Sequence, residues 1–102
     1  EPLYYVAESA IHGRGLFARK KIKADTLIGR FEGTPVDHDG MHVLWIESDD
    51  GIWSGIQVEN EIRFANHSKD PNAGIFNGVE LWSMKKIKKG HEITFDYGDE
   101  WA

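Results

Sequence analysis

Arg63-Phe64-Ala65-Asn66-His67-Ser68-Lys69-Asp70-Pro71-Asn72 sets one large apolar side chain among a guanidinium, two amides, an imidazole and a hydroxyl. Core burial cannot be the main purpose of such a segment, because every polar group taken inside would need a partner. Asp70-Pro71-Asn72 closes it as a turn: proline fixes φ, and Asp and Asn side chains bond to nearby backbone. Glu59 to Asn66, leading in, reads as a short helix. A rigid polar knot of this kind suits a ligand site, and a solvated loop closed by Asp-Pro-Asn is the plainer alternative.

Around this segment lies a chain of 102 residues, the size of one domain (1–102) with a modest core. The absence of cysteine rules out disulfides and thiolate zinc sites. It fits an intracellular setting, cytoplasmic in a prokaryote and nuclear in a eukaryote or virus. No apolar run approaches the roughly 20 residues a membrane span needs, and no signal peptide is visible, so neither a membrane nor a secretory route is expected. The first residue is Glu1 rather than methionine, as expected of a processed or excised fragment. A net charge of -5, from 17 acidic and 12 basic residues, favours a basic partner, and direct nucleic-acid binding is not expected. Nine of those basic residues fall in two runs, Arg14 to Lys23 and Lys85 to Lys89. They would form a phosphate-binding patch only if the runs met on one surface; otherwise they are solvated lysines on turns.

Short strands and glycine turns fill most of the chain. Leu3 to Ala7, Thr26 to Phe31, Val79 to Met84 and Glu92 to Phe95 read as strands. Gly33 to Gly40, with Pro35 and two aspartates, reads as a loop. Asp50-Gly51 suits a type I′ hairpin turn between His42–Glu47 and Gly51–Ser54, with Trp45 and Trp53 as core or cross-strand packing; Asn77-Gly78 is a second hairpin dipeptide. Lys-Lys-Ile-Lys occurs twice, at 20–23 and 85–88, each time leading through a turn into a strand, as two similar corners would. His38 and His42 are four apart, but Asp39-Gly40 between them opposes the helix a metal pair would need, and no metal is expected. The sequon Asn66-His67-Ser68 reads as coincidental in an intracellular chain. The expected class is a compact, mostly β domain with little helix.

Three pieces stand in order: His12-Gly13-Arg14-Gly15-Leu16-Phe17; Arg63-Phe64-Ala65-Asn66-His67-Ser68 with Pro71-Asn72; and Gly90-His91-Glu92-Ile93-Thr94-Phe95-Asp96-Tyr97-Gly98. Together, from about Tyr5 to Gly98, they resemble the SET domain, the fold of many protein lysine methyltransferases. That resemblance implies a β-clip-like set of small sheets, in which the C-terminal segment threads beneath the Asn-His-Ser loop as a pseudoknot. It implies S-adenosylmethionine as cofactor, leaving as S-adenosylhomocysteine, held by His12, Gly13, Arg14, Gly15, Arg63, Phe64, Asn66, His67 and Tyr97. Tyr97 is the implied catalytic residue. Phe31, Phe95 and Trp101 would line the substrate channel, which is either open in this fragment, completed by Trp101, or completed by a second subunit in a homodimer. The implied substrate is a basic, lysine-containing protein such as a histone-like tail in chromatin. Two other readings stay open: a SET-like module that binds a peptide without turnover, and a small β-rich nucleic-acid-binding domain.

Overall fold

A computed structural model describes residues 1–97, in which ten strands and one 3-10 helix are arranged in three small sheets. Tyr4–Glu8 (β1) and Arg14–Ala18 (β2) form a hairpin, in register from Tyr4 opposite Ala18 to Glu8 opposite Arg14. Tyr5 stacks on Phe17 across it, 5.7 Å between ring centroids, the cross-strand aromatic pair that steadies an antiparallel ladder. The connecting loop closes through the Ser9 N–H donating to the Gly13 carbonyl at 2.8 Å, with Gly13 at φ +45°. A positive φ there favours glycine.

Leu27–Arg30 (β3), Ala73–Phe76 (β8) and Glu80–Ser83 (β9) make the second sheet, in the order β3-β9-β8. Gly33–Val36 (β4), Val43–Glu47 (β5) and Trp53–Val58 (β6) make the third, in the order β4-β6-β5. The 3-10 helix, Glu61–Phe64, leads into the two-residue strand Asn66–His67 (β7). Glu92–Phe95 (β10), the last strand among the described residues, is interior in the first sheet, whose order is β1-β2-β10-β7. It runs antiparallel to β2, with Ile93 opposite Leu16, and parallel to β7, with Thr94 opposite Asn66. The Asn72 side chain secures it, donating to the Glu92 carbonyl at 2.8 Å and accepting from the Thr94 N–H at 2.9 Å. Asn72 thus binds the backbone of the strand as well as ending the turn.

Leu16, Ile22, Ile62, Leu81, Ile87 and Ile93 form the heart of the core, none more than 2% exposed. Its members come from all parts of the chain, so the small sheets share one interior. The two Lys-Lys-Ile-Lys copies meet directly: Ile22 and Ile87 exchange backbone hydrogen bonds of 2.8 Å in an antiparallel bridge. Three residues after each isoleucine the chain turns at positive φ, at Asp25 (+59°) and Gly90 (+83°). The repeated sequence is a repeated corner.

Several local expectations are corrected. Residues 33–36 are a strand rather than part of a loop; β4 lies at a sheet edge, where Pro35 removes a donor at little cost. Its Gly33 lies so close to β6 that a Cβ would fall 1.8 Å from the Gln57 carbonyl oxygen. The Asp50-Gly51 hairpin is not a two-residue type I′ turn, which needs positive φ at both central residues; only Gly51 (+83°) has it. Instead the Gly51 N–H donates to the Ser48 carbonyl and the Ser48 N–H to that of Ile52, both at 2.9 Å, enclosing a three-residue loop. Trp45 lies across Gly55, as cross-strand packing requires, but Trp53 is 59% exposed and belongs to no core. Asn77 and Gly78 both have positive φ, as a type I′ pair needs.

Candidate active site

Asn66 ties the three motif segments together. Only 8% exposed, it directs its side-chain nitrogen at four acceptors: Ser9 Oγ, the His12 carbonyl and the Arg14 carbonyl, each at 3.1 Å, and Glu92 Oε2 at 2.9 Å. Carbonyl oxygens can only accept, so the amide nitrogen must face them. Ser9 reinforces the cluster, its hydroxyl donating to the Glu92 carboxylate at 2.8 Å and accepting from the Ile11 N–H at 2.9 Å. One amide thereby clamps the 9–14 loop to the last strand. Gly15 completes the fit, because a Cβ on it would stand 2.3 Å from Glu92 Oε2.

Tyr97 stands two residues beyond β10. Its backbone N–H donates to His67 Nδ1 at 2.9 Å, and its hydroxyl donates to the Ala65 carbonyl at 2.7 Å, one residue from Asn66. Because His67 Nδ1 accepts, its neutral ring carries the proton on Nε2. Burial, and secondarily the Glu92 carboxylate, hold the Tyr97 phenol above the ordinary tyrosine value, so it stays protonated at neutral pH. A protonated hydroxyl whose hydrogen is committed to Ala65 presents an acceptor oxygen to a neighbour.

An aromatic row extends from it. Ring centroids lie 5.1 Å apart for His67 and Tyr97, 4.7 Å for Phe95 and Tyr97, and 5.8 Å for Phe31 and Phe95. Phe31 and Phe95 are buried, at 5% and 7% exposure, whereas Tyr97 is 37% exposed. The row therefore runs from the core at Phe31 to the half-exposed Tyr97.

Of the residues named from sequence, the structure brings together the His12–Gly15 backbone, Asn66, His67, Phe31, Phe95 and Tyr97. The His12 and Arg14 carbonyls, rather than their side chains, join the cluster. Arg63 turns back, its guanidinium on the Glu59 and Asn60 carbonyls at 3.0 and 3.1 Å and 4.3 Å from the centre of the Phe64 ring. Phe64 also meets the His42 ring edge-on, with centroids 5.7 Å apart. These two side chains hold the turn that delivers Asn66. Trp101 lies outside the described residues. Two surface cavities, of about 260 and 320 Å³, lie elsewhere, on the lysine corner and beside Trp82. Among the described residues no three His, Asp or Glu side chains gather as metal ligands would.

Ser9, Ala65 and the carboxylate of Glu92 received no role in the sequence reading. Glu92 carried a signal, an acid opening the buried stretch Ile93-Thr94-Phe95, since a carboxylate next to core needs donors. Ala65 acts through its backbone and carries no side-chain signal at all.

A family model described as the SET domain matches residues 13–98. Histone-lysine N-methyltransferase 2B of Homo sapiens is 29% identical over 114 residues, covering 90% of this chain and 4% of that protein. Histone-lysine N-methyltransferase MEDEA of Arabidopsis thaliana is 27% identical over 111 residues, covering 90% of this chain and 16% of that protein. The chain thus spans a small part of the length of these curated relatives. A crystal structure of a Plasmodium falciparum protein, provisionally named a histone methyltransferase, matches with a TM-score of 0.72. That match covers 99% of this chain and 97% of the other at 20% identity, a likeness of fold.

Proposed function

This chain belongs to the SET domain family, and from that premise we propose that it is an S-adenosylmethionine-dependent protein-lysine N-methyltransferase. The observation that carries the proposal is the Tyr97 hydroxyl on the Ala65 carbonyl at 2.7 Å, beside the amide that clamps the 12–14 turn. Three distant segments meet there as one site.

The open approach to the Gly13 backbone supports this cofactor. At Gly13 the chain turns at positive φ, and no atom lies within 4 Å of where a Cβ would stand, so a ligand can approach the backbone. Gly13, Arg14, Asn66 and His67 would hold it, with Arg63 and Phe64 fixing the turn before Asn66. When bound, the cofactor supplies an electrophilic methyl on a positively charged sulfur.

A lysine amine, with a reference pKa of about 10.4, is mostly protonated at neutral pH, and only its neutral form attacks a methyl group. In a site that already holds a cation and excludes water, the ammonium sheds its proton more readily, through like charge and desolvation. Phe31 and Phe95 supply the apolar wall, and the proton passes to solvent. Tyr97 is not the base, because its phenol stays protonated. What the chain contributes is alignment: the Ala65 bond fixes the hydroxyl, and the Phe95 ring bounds the channel beside it. Phe95 has no hydroxyl to tether a partly methylated amine, which supports reaction beyond one methyl. The acidic balance of the chain supports a basic substrate, a histone-like tail or another lysine-rich segment.

The test is transfer of radiolabelled methyl from S-adenosylmethionine to core histones by the parent and by Tyr97→Phe. Loss of the hydroxyl's alignment lowers kcat by about 100-fold or more, while cofactor affinity, for which the ring remains, changes far less. A Tyr97→Phe variant with undiminished kcat, or a parent that binds cofactor and peptide without turnover, defeats the proposal.

A further inference from the structure

The Ile22–Ile87 bridge does more than join two corners. Both isoleucines are 2% exposed, and in extended chain the neighbours of an inward residue point outward. Lys21 and Lys23 on one segment and Lys86 and Lys88 on the other therefore share an outer face, all four exposed. The antiparallel geometry sets Lys21 toward Lys88 and Lys23 toward Lys86, like charges across from each other, which costs stability unless an anion relieves it. Among the described residues, the one lysine of the two copies with a carboxylate in ion-pair range is Lys85, 3.6 Å from Asp70. A surface cavity of about 260 Å³ adjoins this face, lined by Lys85, Lys86, Lys88, His91, Asp70 and Asn72.

The charge elsewhere makes the contrast. Residues 31–62, which include the whole β4-β6-β5 sheet, contain no Lys or Arg. Net charge sums what the fold has segregated. The condition for a phosphate-binding patch, that the two runs meet on one surface, is satisfied at the Ile22–Ile87 bridge.

We propose that this face docks the phosphodiester backbone of a duplex nucleic acid without reading its sequence. Lysines act as point charges, and the face has no arginine fork or Asn/Gln pair aimed at base edges. No Phe, Tyr or Trp lies within residues 19–25 or 84–91; the nearby Phe76 and Trp82 line a different cavity, with Asp25 and Met84, so no ring interleaves with the four lysines as a single-strand platform would need. Same-face lysines along an extended segment stand about 6.6 Å apart, close to twice the roughly 3.4 Å axial spacing of phosphates on one strand. This contact is separate from methyl transfer and does not depend on it.

Fluorescence anisotropy with a labelled mixed-sequence DNA duplex tests the proposal. Four phosphate contacts give a slope of log K against log salt of about −3.6, an affinity loss of about 150-fold between roughly 50 and 200 mM salt. Changing Lys21, Lys23, Lys86 and Lys88 together to Gln abolishes the salt-dependent binding, and changing the same four to Arg retains it. The Arg variant separates lost charge from lost fold, and circular dichroism of the Gln variant checks the same point. A duplex of different sequence binds equally well. No binding at roughly 50 mM salt, an undiminished Gln variant, or tighter binding to oligo-dT than to duplex would each overturn the proposal.

Discussion

Changing Asn66 to aspartate keeps the side chain's size and shape while turning its donor into an acceptor. The nitrogen now faces two carbonyls and a hydroxyl at 3.1 Å and the Glu92 carboxylate at 2.9 Å. Two hydrogens shared among four acceptors amount to about two hydrogen bonds, one of them to a charge, together worth about 3 kcal/mol. Asn66→Ala loses that much. The aspartate recovers about one of those bonds through the proton its carboxyl pair must hold, but it sets two carboxyls about 3 Å apart, where both cannot ionise. Protonating one carboxyl of reference pKa near 4 at pH 7 costs about 4 kcal/mol, at about 1.36 kcal/mol per unit. The combined loss, about 6 kcal/mol, rivals the whole stability of a small domain. The cost peculiar to aspartate depends on pH. The carboxyl pair holds a proton in the folded state that it releases on unfolding, so the penalty is absent below about pH 4 and grows as pH rises. Urea denaturation followed by circular dichroism should therefore find the aspartate variant far less stable than the alanine variant at pH 7. The gap should shrink to under about 1 kcal/mol at pH 4.5. An aspartate variant as stable as the alanine variant at pH 7, or a gap that does not narrow in acid, would refute the account of Asn66 as a donor clamp.

Gly15→Ala drives a Cβ to 2.3 Å from Glu92 Oε2, and Gly33→Ala drives one to 1.8 Å from the Gln57 carbonyl. Each should lower the urea midpoint by the equivalent of about 1–3 kcal/mol or more, whereas Gly40→Ala, whose nearest neighbour is a Val43 methyl at 3.8 Å, should leave it nearly unchanged. Phenolate absorbance should show one late-titrating tyrosine lost in Tyr97→Phe. Because burial raises the folded value of Tyr97 above the unfolded one, the stability linked to it is complete below the unfolded value of about 10 and is lost as pH rises through the folded value. Phe95→Tyr places a hydroxyl beside Tyr97, where the rings are already 4.7 Å apart. Mass spectrometry of exhaustively modified histone should then shift from products carrying several methyls toward one, and an unchanged distribution would remove Phe95 from the control of product.

Composition and turn residues made the β-rich class and most strands readable, because alternation and Gly, Asn or Asp at turns are local properties. The site was readable only as three separate motifs; nothing local to His12–Gly15, Asn66 or Tyr97 says that they touch. Their meeting depends on β10 pairing in parallel with β7, a long-range choice set by the shared core. The Lys-Lys-Ile-Lys repeat announced two similar corners, yet only the fold revealed that the isoleucines pair with each other. Pro35 misled because proline in a central strand and proline at an edge look alike in one dimension. The sequon at Asn66 is a motif whose asparagine is buried, with its nitrogen fully engaged in the clamp.

The interior place of the final strand also orders events on the ribosome. While a nascent chain still lacks residues 92–97, β2 has β1 on one edge and nothing on the other, and β7 has no partner at all. The unpaired backbone of β2 is then available to any extended segment that drifts by, including another copy being made nearby. The partner of β7 and the cover of β2 consequently arrive together, with residues 92–97. A stall or truncation just before Glu92 leaves a hairpin with an open, adhesive border.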